Sequence, residues 1–117
     1  MMESKKLLIH IIHPPLSFKK NIMEVIWVLA VASAPESHNI KIIFSGDGIY
    51  FTLKKFDMLD WTRVLTSLNV LSVELFVEEE SLAEKGIKST DIREEFIVRS
   101  RKELASFPSW SDHAIVL

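Results

Sequence analysis

Three short stretches carry side chains whose types and spacing could do chemistry. Glu78-Glu79-Glu80-Ser81 puts three carboxylates beside a hydroxyl, Gly46-Asp47-Gly48 frames a carboxylate with two glycines, and His13 stands before Pro14-Pro15. Two carboxylates can share proton transfer, so Asp47 and Glu78 are the pair to weigh for acid–base work. No third group joins them, and no catalytic set is assigned. His10 and His13 suggest a metal only at first sight. Three residues apart on an extended chain they point to opposite faces, and His38 and His113 are scattered, so no metal site is expected. Cysteine is absent altogether, which removes disulfides, thiolate metal sites and thiol nucleophiles.

Other chemistries are missing their signatures. There is no P-loop and no GxGxxG turn after the first strand, and no cofactor is expected. A phospho-accepting receiver needs acids after its first strand and an aspartate after its third. This chain has His13-Pro14-Pro15 and Glu78 at those places.

The elements that must position these residues can be read from the apolar pattern. Val73, Leu75, Phe76 and Val77 suit a covered strand, and the acids from Glu78 onward suit the first turn of a helix, where they oppose its positive end. Gly86 is placed to stop that helix. Leu7 to Ile12 reads as a first strand buried on both faces and ended by the prolines. Ile40 to Phe44 reads as the second strand, followed by a sharp turn in which Asp47 could cap a short helix from Gly48 to Lys54. Met58 to Leu68 fits a helix with Leu59, Val64, Leu65 and Leu68 inward, Trp61 on a flank and Asn69 at its end. Ser89 to Ile92 is a connection. Glu95 to Val98 is a fourth strand, Ser100 to Ala105 a last helix ended near Phe107-Pro108, and His113 to Leu117 a final strand.

The strongest helical signal runs from Phe18 to Ala34. Ile22, Val25, Ile26, Leu29 and Ala32 make one apolar stripe, and Met23, Trp27, Ala30, Val31 and Ala34 make a second on another side. A surface helix of a monomer keeps a polar face, so the second stripe is expected to be an oligomer interface.

Alternation of buried strands with helices predicts an α/β chain, three layers deep, around a mostly parallel five-stranded sheet. In such a sheet the loops after the strands share one edge, where ligands gather. His13, Asp47, Gly48, Glu78 and Ser81 meet there as a candidate ligand or partner rim. At 117 residues, with 48% hydrophobic and 26% charged content, residues 1–117 are expected to form a single domain. A net charge of −2 offers no electrostatic case for direct nucleic-acid or membrane binding. No leader or spanning segment is read at the amino terminus, which makes the cytoplasm the expected compartment.

Two stretches carry a family resemblance. Ile42-Ile43-Phe44-Ser45-Gly46-Asp47-Gly48-Ile49-Tyr50 resembles the FF-x-x-DGV turn of the DsrE/DsrF-like (TusC/TusD-like) sulfur-relay proteins. Leu68 to Ile87 resembles that family's L-G-L-Y-D-I-E … V-C-x-x-S-L-x-x-R-G-L stretch, with Ser81-Leu82 and Gly86 matching. The segment from Lys102 to the final strand is similar to the family's last helix and strand, and the DsrF/TusC branch is the closest match.

The resemblance implies a DsrEFH-like fold and assembly into trimers or hexamers. Assembly could be with itself or with cysteine-bearing DsrE/DsrH-like paralogues. Some family members carry sulfur as a cysteine persulfide for tRNA thiolation or sulfur oxidation, on a cysteine after the third strand. Aligned on the Ser-Leu-x-x-x-Gly pattern, that position is Glu78. A carboxylate cannot form a persulfide, so the expected role is that of a non-catalytic subunit rather than a sulfurtransferase. The competing expectation is a small-ligand-binding or weakly catalytic protein using the rim of His13, Asp47 and Glu78.

Overall fold

Short runs of branched and aromatic residues bracketed by turns give this chain its strands. The structure is a computed structural model, and it describes residues 5–15, 39–56 and 61–117. The strands are β1 (Lys6–Ile11), β2 (Asn39–Phe44), β3 (Glu74–Glu78), β4 (Ile97–Arg99) and β5 (His113–Val116). They form one five-stranded sheet in the order β4-β3-β2-β1-β5, and every pairing is parallel. The sequence led us to expect a mostly parallel sheet. The observed one is entirely parallel in its strand pairings, which no two-residue hairpin can join.

The interior strands are apolar on both faces, as parallel strands covered on both sides must be. On one face Ile9, Ile11, Ile42, Phe44, Leu75 and Val77 pack under α1 (Trp61–Val70), α2 (Glu79–Glu84) and a 3-10 helix at Gly46–Thr52. On the other face Leu8, Ile43 and Phe76 pack against Leu104 and Phe107, carried by α3 (Arg101–Leu104) and α4 (Phe107–Trp110). The result is the expected three-layer α/β/α arrangement. Each fully buried aliphatic side chain contributes roughly 1.5–3 kcal/mol of transfer free energy.

Several local expectations need correction. Trp61 is fully buried rather than flanking, and its Nε1 donates to the Phe51 carbonyl at 2.8 Å. An indole bonded at its one polar atom can be buried without loss. It anchors an aromatic cluster in which Phe51 meets Phe44, Phe56 and Trp61 at ring separations of 5.8, 5.6 and 5.4 Å. The helix expected at Gly48–Lys54 is the 3-10 helix at Gly46–Thr52, and its N-cap is Ser45 without a side-chain cap bond. Asp47 therefore sits in the first turn instead of capping it. Helix α1 runs past Asn69 to Val70, and the chain then turns through Ser72 in the left-handed region (φ 60°).

The fourth strand lies at Ile97–Arg99, two residues later at its start than the sequence suggests. The last helical stretch is two short helices. Ser100 opens α3 by accepting a bond from the Glu103 amide, and Pro108 lies in the first turn of α4, where a missing N–H costs nothing. The stop at Gly86 is as expected. Gly86 has φ +66°, its amide bonds the Ala83 carbonyl, and the Ile87 amide bonds that of Leu82, a Schellman closure.

The Phe18–Ala34 helix and its Met23, Trp27, Ala30, Val31 and Ala34 stripe lie outside the described residues, as does Leu59. Among the described residues no helix is long and apolar enough to cross a membrane.

Candidate functional site

Glu78 is the last residue of β3 and the residue from which α2 starts. The strand places it at the carboxyl edge of the sheet, and alternation puts its side chain on the same face as Phe76. Its side chain is only 12% exposed, so an unpaired carboxylate there would be costly. Three donors converge on Oε1: the Ser81 hydroxyl at 2.7 Å, and Arg101 through Nε at 3.2 Å and Nη2 at 2.8 Å. Ser81 in turn accepts from the Gly46 amide at 2.9 Å, which ties the start of the 3-10 helix to the same corner. Arg101 also reaches Glu84 at 3.4 Å, and its own amide donates to Glu80 at 2.8 Å. Glu80 thus helps to cap α3 from a different element.

A second pair borders this corner. His10 on β1 lies two residues beyond Leu8, and Ser45 two beyond Ile43, so both face the Phe76 side of the sheet. The His10 Nε2 and the Ser45 Oγ are 2.5 Å apart. Burial lowers the pKa of His10 below its ordinary value, while the negative charge of Glu78 works the other way. For Glu78, burial pushes the pKa up. The hydrogen bonds from Arg101 and Ser81, with the charges of Arg101 and His10, outweigh it and leave the carboxyl below its ordinary value. The arrangement holds a carboxylate as an anion beside an imidazole that burial makes harder to protonate. A weakly basic, cation-bound carboxylate makes a poor general base.

The five rim residues separate into four placements. Glu78 and Ser81 are joined directly. Asp47 pairs with Lys85 at 3.2 Å, both side chains exposed. His13 is bound through Nδ1 to the Leu117 carbonyl at 2.9 Å, tying the turn after β1 to the strand beside it. Gly48 serves packing: a Cβ there would lie 2.2 Å from the Ile11 carbonyl oxygen. Among the described residues no group of three or more His, Asp or Glu side chains is placed to hold a metal ion.

Arg101, His10 and Ser45 were missed as parts of this corner. The rule that the loops after parallel strands share an edge applies to the loop after β4 as well. Glu78 pairs in register with Arg99, so Arg101 falls beside it.

The chain has solved structural neighbours of the same extent. The YchN protein of E. coli superposes with a TM-score of 0.78 at 13% identity, over 98% of this chain and 100% of that one. The fold is DsrE-like. MTH1491 of Methanobacterium thermoautotrophicum, described as a protein of unknown function, shares this fold with a TM-score of 0.76 at 14% identity, over 97% and 100% of the two chains. No family model matches the sequence, and no curated protein does. At such low identity these likenesses concern the DsrE-like fold alone.

Proposed function

We propose that this chain is a DsrF/TusC-type subunit of a sulfur-relay assembly that does not itself carry sulfur. The observation behind this reading is the state of Glu78. It occupies the strand-to-helix corner where the family resemblance puts a carrier cysteine, and Ser81 and Arg101 hold it there as an anion in a chain without cysteine. A cation that holds a carboxylate in this seat would stabilise a thiolate in it. The corner keeps the electrostatics of thiol activation and lacks the sulfur atom.

The remaining role is to bind and position partners. Cysteine-bearing DsrE/DsrH-like paralogues, or further copies of this chain in a trimer or hexamer, are the partners proposed, docking through the Met23, Trp27, Ala30, Val31 and Ala34 stripe. The proposed compartment is the cytoplasm, and residues 1–117 act as a single domain.

Co-expression with cysteine-bearing relatives, followed by size-exclusion chromatography with light scattering, tests the reading. A stable hetero-oligomer, or a homotrimer or homohexamer that takes up no sulfur from a persulfide donor by intact mass, supports it. A monomer that ignores every relative overturns it.

A further inference from the structure

A cavity of about 540 Å³ lies away from the Glu78 corner, between the segment that follows β2 and the end of α2. Its volume is in the range of small-ligand sites. Tyr50, Leu53 and Ile87 give it an apolar wall backed by the main core. Lys54, Lys55 and Lys85 belong to its lining, and Asp91 is the one acid there. Asp91 accepts a bond from the Lys88 amide at 3.2 Å, and Lys85 is already paired with Asp47. Among the described residues neither Lys54 nor Lys55 has an ion pair or a side-chain hydrogen bond. Gly86 leaves the wall open, with no atom within 4 Å of where a Cβ would stand.

We infer that this cavity binds a small phosphomonoester with an aromatic or heteroaromatic ring, the chemical class of a nucleoside monophosphate. Two uncommitted ammonium groups match the charge of a phosphate dianion. The half-buried Tyr50 offers aromatic surface for a ring, and Leu53 and Ile87 offer the contact that bare phosphate would not use. Three lysines against one acid make the lining locally basic, which the chain's net charge of −2 does not reveal. The site is independent of any role of Glu78.

AMP is the probe, titrated into the full chain and followed by proton–nitrogen NMR. Saturable shifts confined to Tyr50–Lys55 and Lys85–Ile87 are expected. Losing charge-assisted contacts should weaken binding about tenfold or more in Lys54→Ala/Lys55→Ala. Lys102→Ala removes one charge on the opposite face of the sheet and should bind AMP as the parent does. Inorganic phosphate and adenosine, run alone, should each bind at least about tenfold more weakly than AMP, because each lacks half of the recognition. Absence of saturable binding overturns the inference. So does unchanged affinity in the double variant, or phosphate binding as tightly as AMP.

Discussion

Arg101 places two guanidinium nitrogens, Nε at 3.2 Å and Nη2 at 2.8 Å, on the same oxygen of Glu78. The two residues are 23 positions apart: Glu78 ends β3, and Arg101 opens the helix that follows the adjacent β4. Arg101 is 58% exposed while the Glu78 side chain is 12% exposed, so the pair is asymmetric. Its importance lies in the buried carboxylate, which has few other ways to be satisfied. Arg101→Met should therefore lower thermal stability more than Glu78→Gln, because only the first leaves a buried anion without its cation. Thermal unfolding of the two variants and the double variant at neutral pH checks this order. Equal effects would mean that leaving the carboxylate without its cation costs nothing beyond loss of the pair. Additivity in the double variant would mean that the pair itself does not stabilise the corner.

Ser81→Ala removes a hydroxyl that serves two partners at once. Glu78 loses its shortest donor, and the Gly46 amide loses its acceptor. The cost should be about 1–3 kcal/mol, measurable by chemical denaturation. Ser81→Thr keeps the hydroxyl and should recover part of it.

Acid should weaken the fold in two steps of the same sign. The folded pKa of His10 lies below 6.5, so the unfolded chain takes up its proton first. The stability this provides is complete above pH 6.5 and is lost as pH falls through the folded value. Glu78 is likewise depressed from 4.5; its contribution is complete above pH 4.5 and is lost as pH falls through its own lowered value. Thermal midpoints should thus begin to fall just below pH 6.5. In His10→Gln the midpoint between pH 6.5 and pH 4.5 should depend less on pH. A wild-type profile that is flat over that interval would contradict the burial of a neutral His10.

At the other end of the sheet, the Lys41 ammonium lies 5.3, 5.1 and 4.9 Å from the ring centroids of Phe76, Phe107 and Trp110, and 2.7 Å from Glu74. Its side chain is 17% exposed, so the cation–π contacts are partly desolvated. Lys41→Met keeps the stem and removes the charge. It should cost about 1 kcal/mol, and the shift in Trp110 fluorescence on unfolding should change with it.

The glycines give a sharp contrast. Gly48→Ala would drive a Cβ to 2.2 Å from the Ile11 carbonyl and should disrupt the link between β1 and the 3-10 helix. Gly86→Ala meets no atom within 4 Å and should cost only the left-handed penalty, about 1 kcal/mol. Parallel denaturation curves separate the two.

The strands and the Gly86 stop were legible in the sequence because both are local signals. An unbroken apolar run means cover on both faces, and a glycine after a helical stretch permits a positive φ. The Glu78–Ser81 bond was within reach for the same reason, since it spans a single turn. Arg101 was not, because its partner is fixed by strand order, which periodicity does not encode. Trp61 was misplaced for a related cause: its buried polar atom finds the Phe51 carbonyl ten residues back, a pairing that no helical wheel displays. His10 reads as a stray imidazole until β2 brings Ser45 beside it. Asp47 looked like a cap, but Lys85, across the edge of the sheet, draws it outward.

The most direct test of the central claim is to restore a thiol. Glu78→Cys places a cysteine beside Arg101, whose charge should hold its pKa below the ordinary value of about 8.5. Incubated with glutathione persulfide, the new thiolate should take the outer sulfur, releasing glutathione thiolate and leaving a protein persulfide seen by intact mass as one added sulfur. Uptake should slow in Glu78→Cys/Arg101→Met, and the parent chain should take up none. If Glu78→Cys folds, reacts with an alkylating agent no faster than an exposed control cysteine and takes up no sulfur, the corner is not a thiol-activating seat.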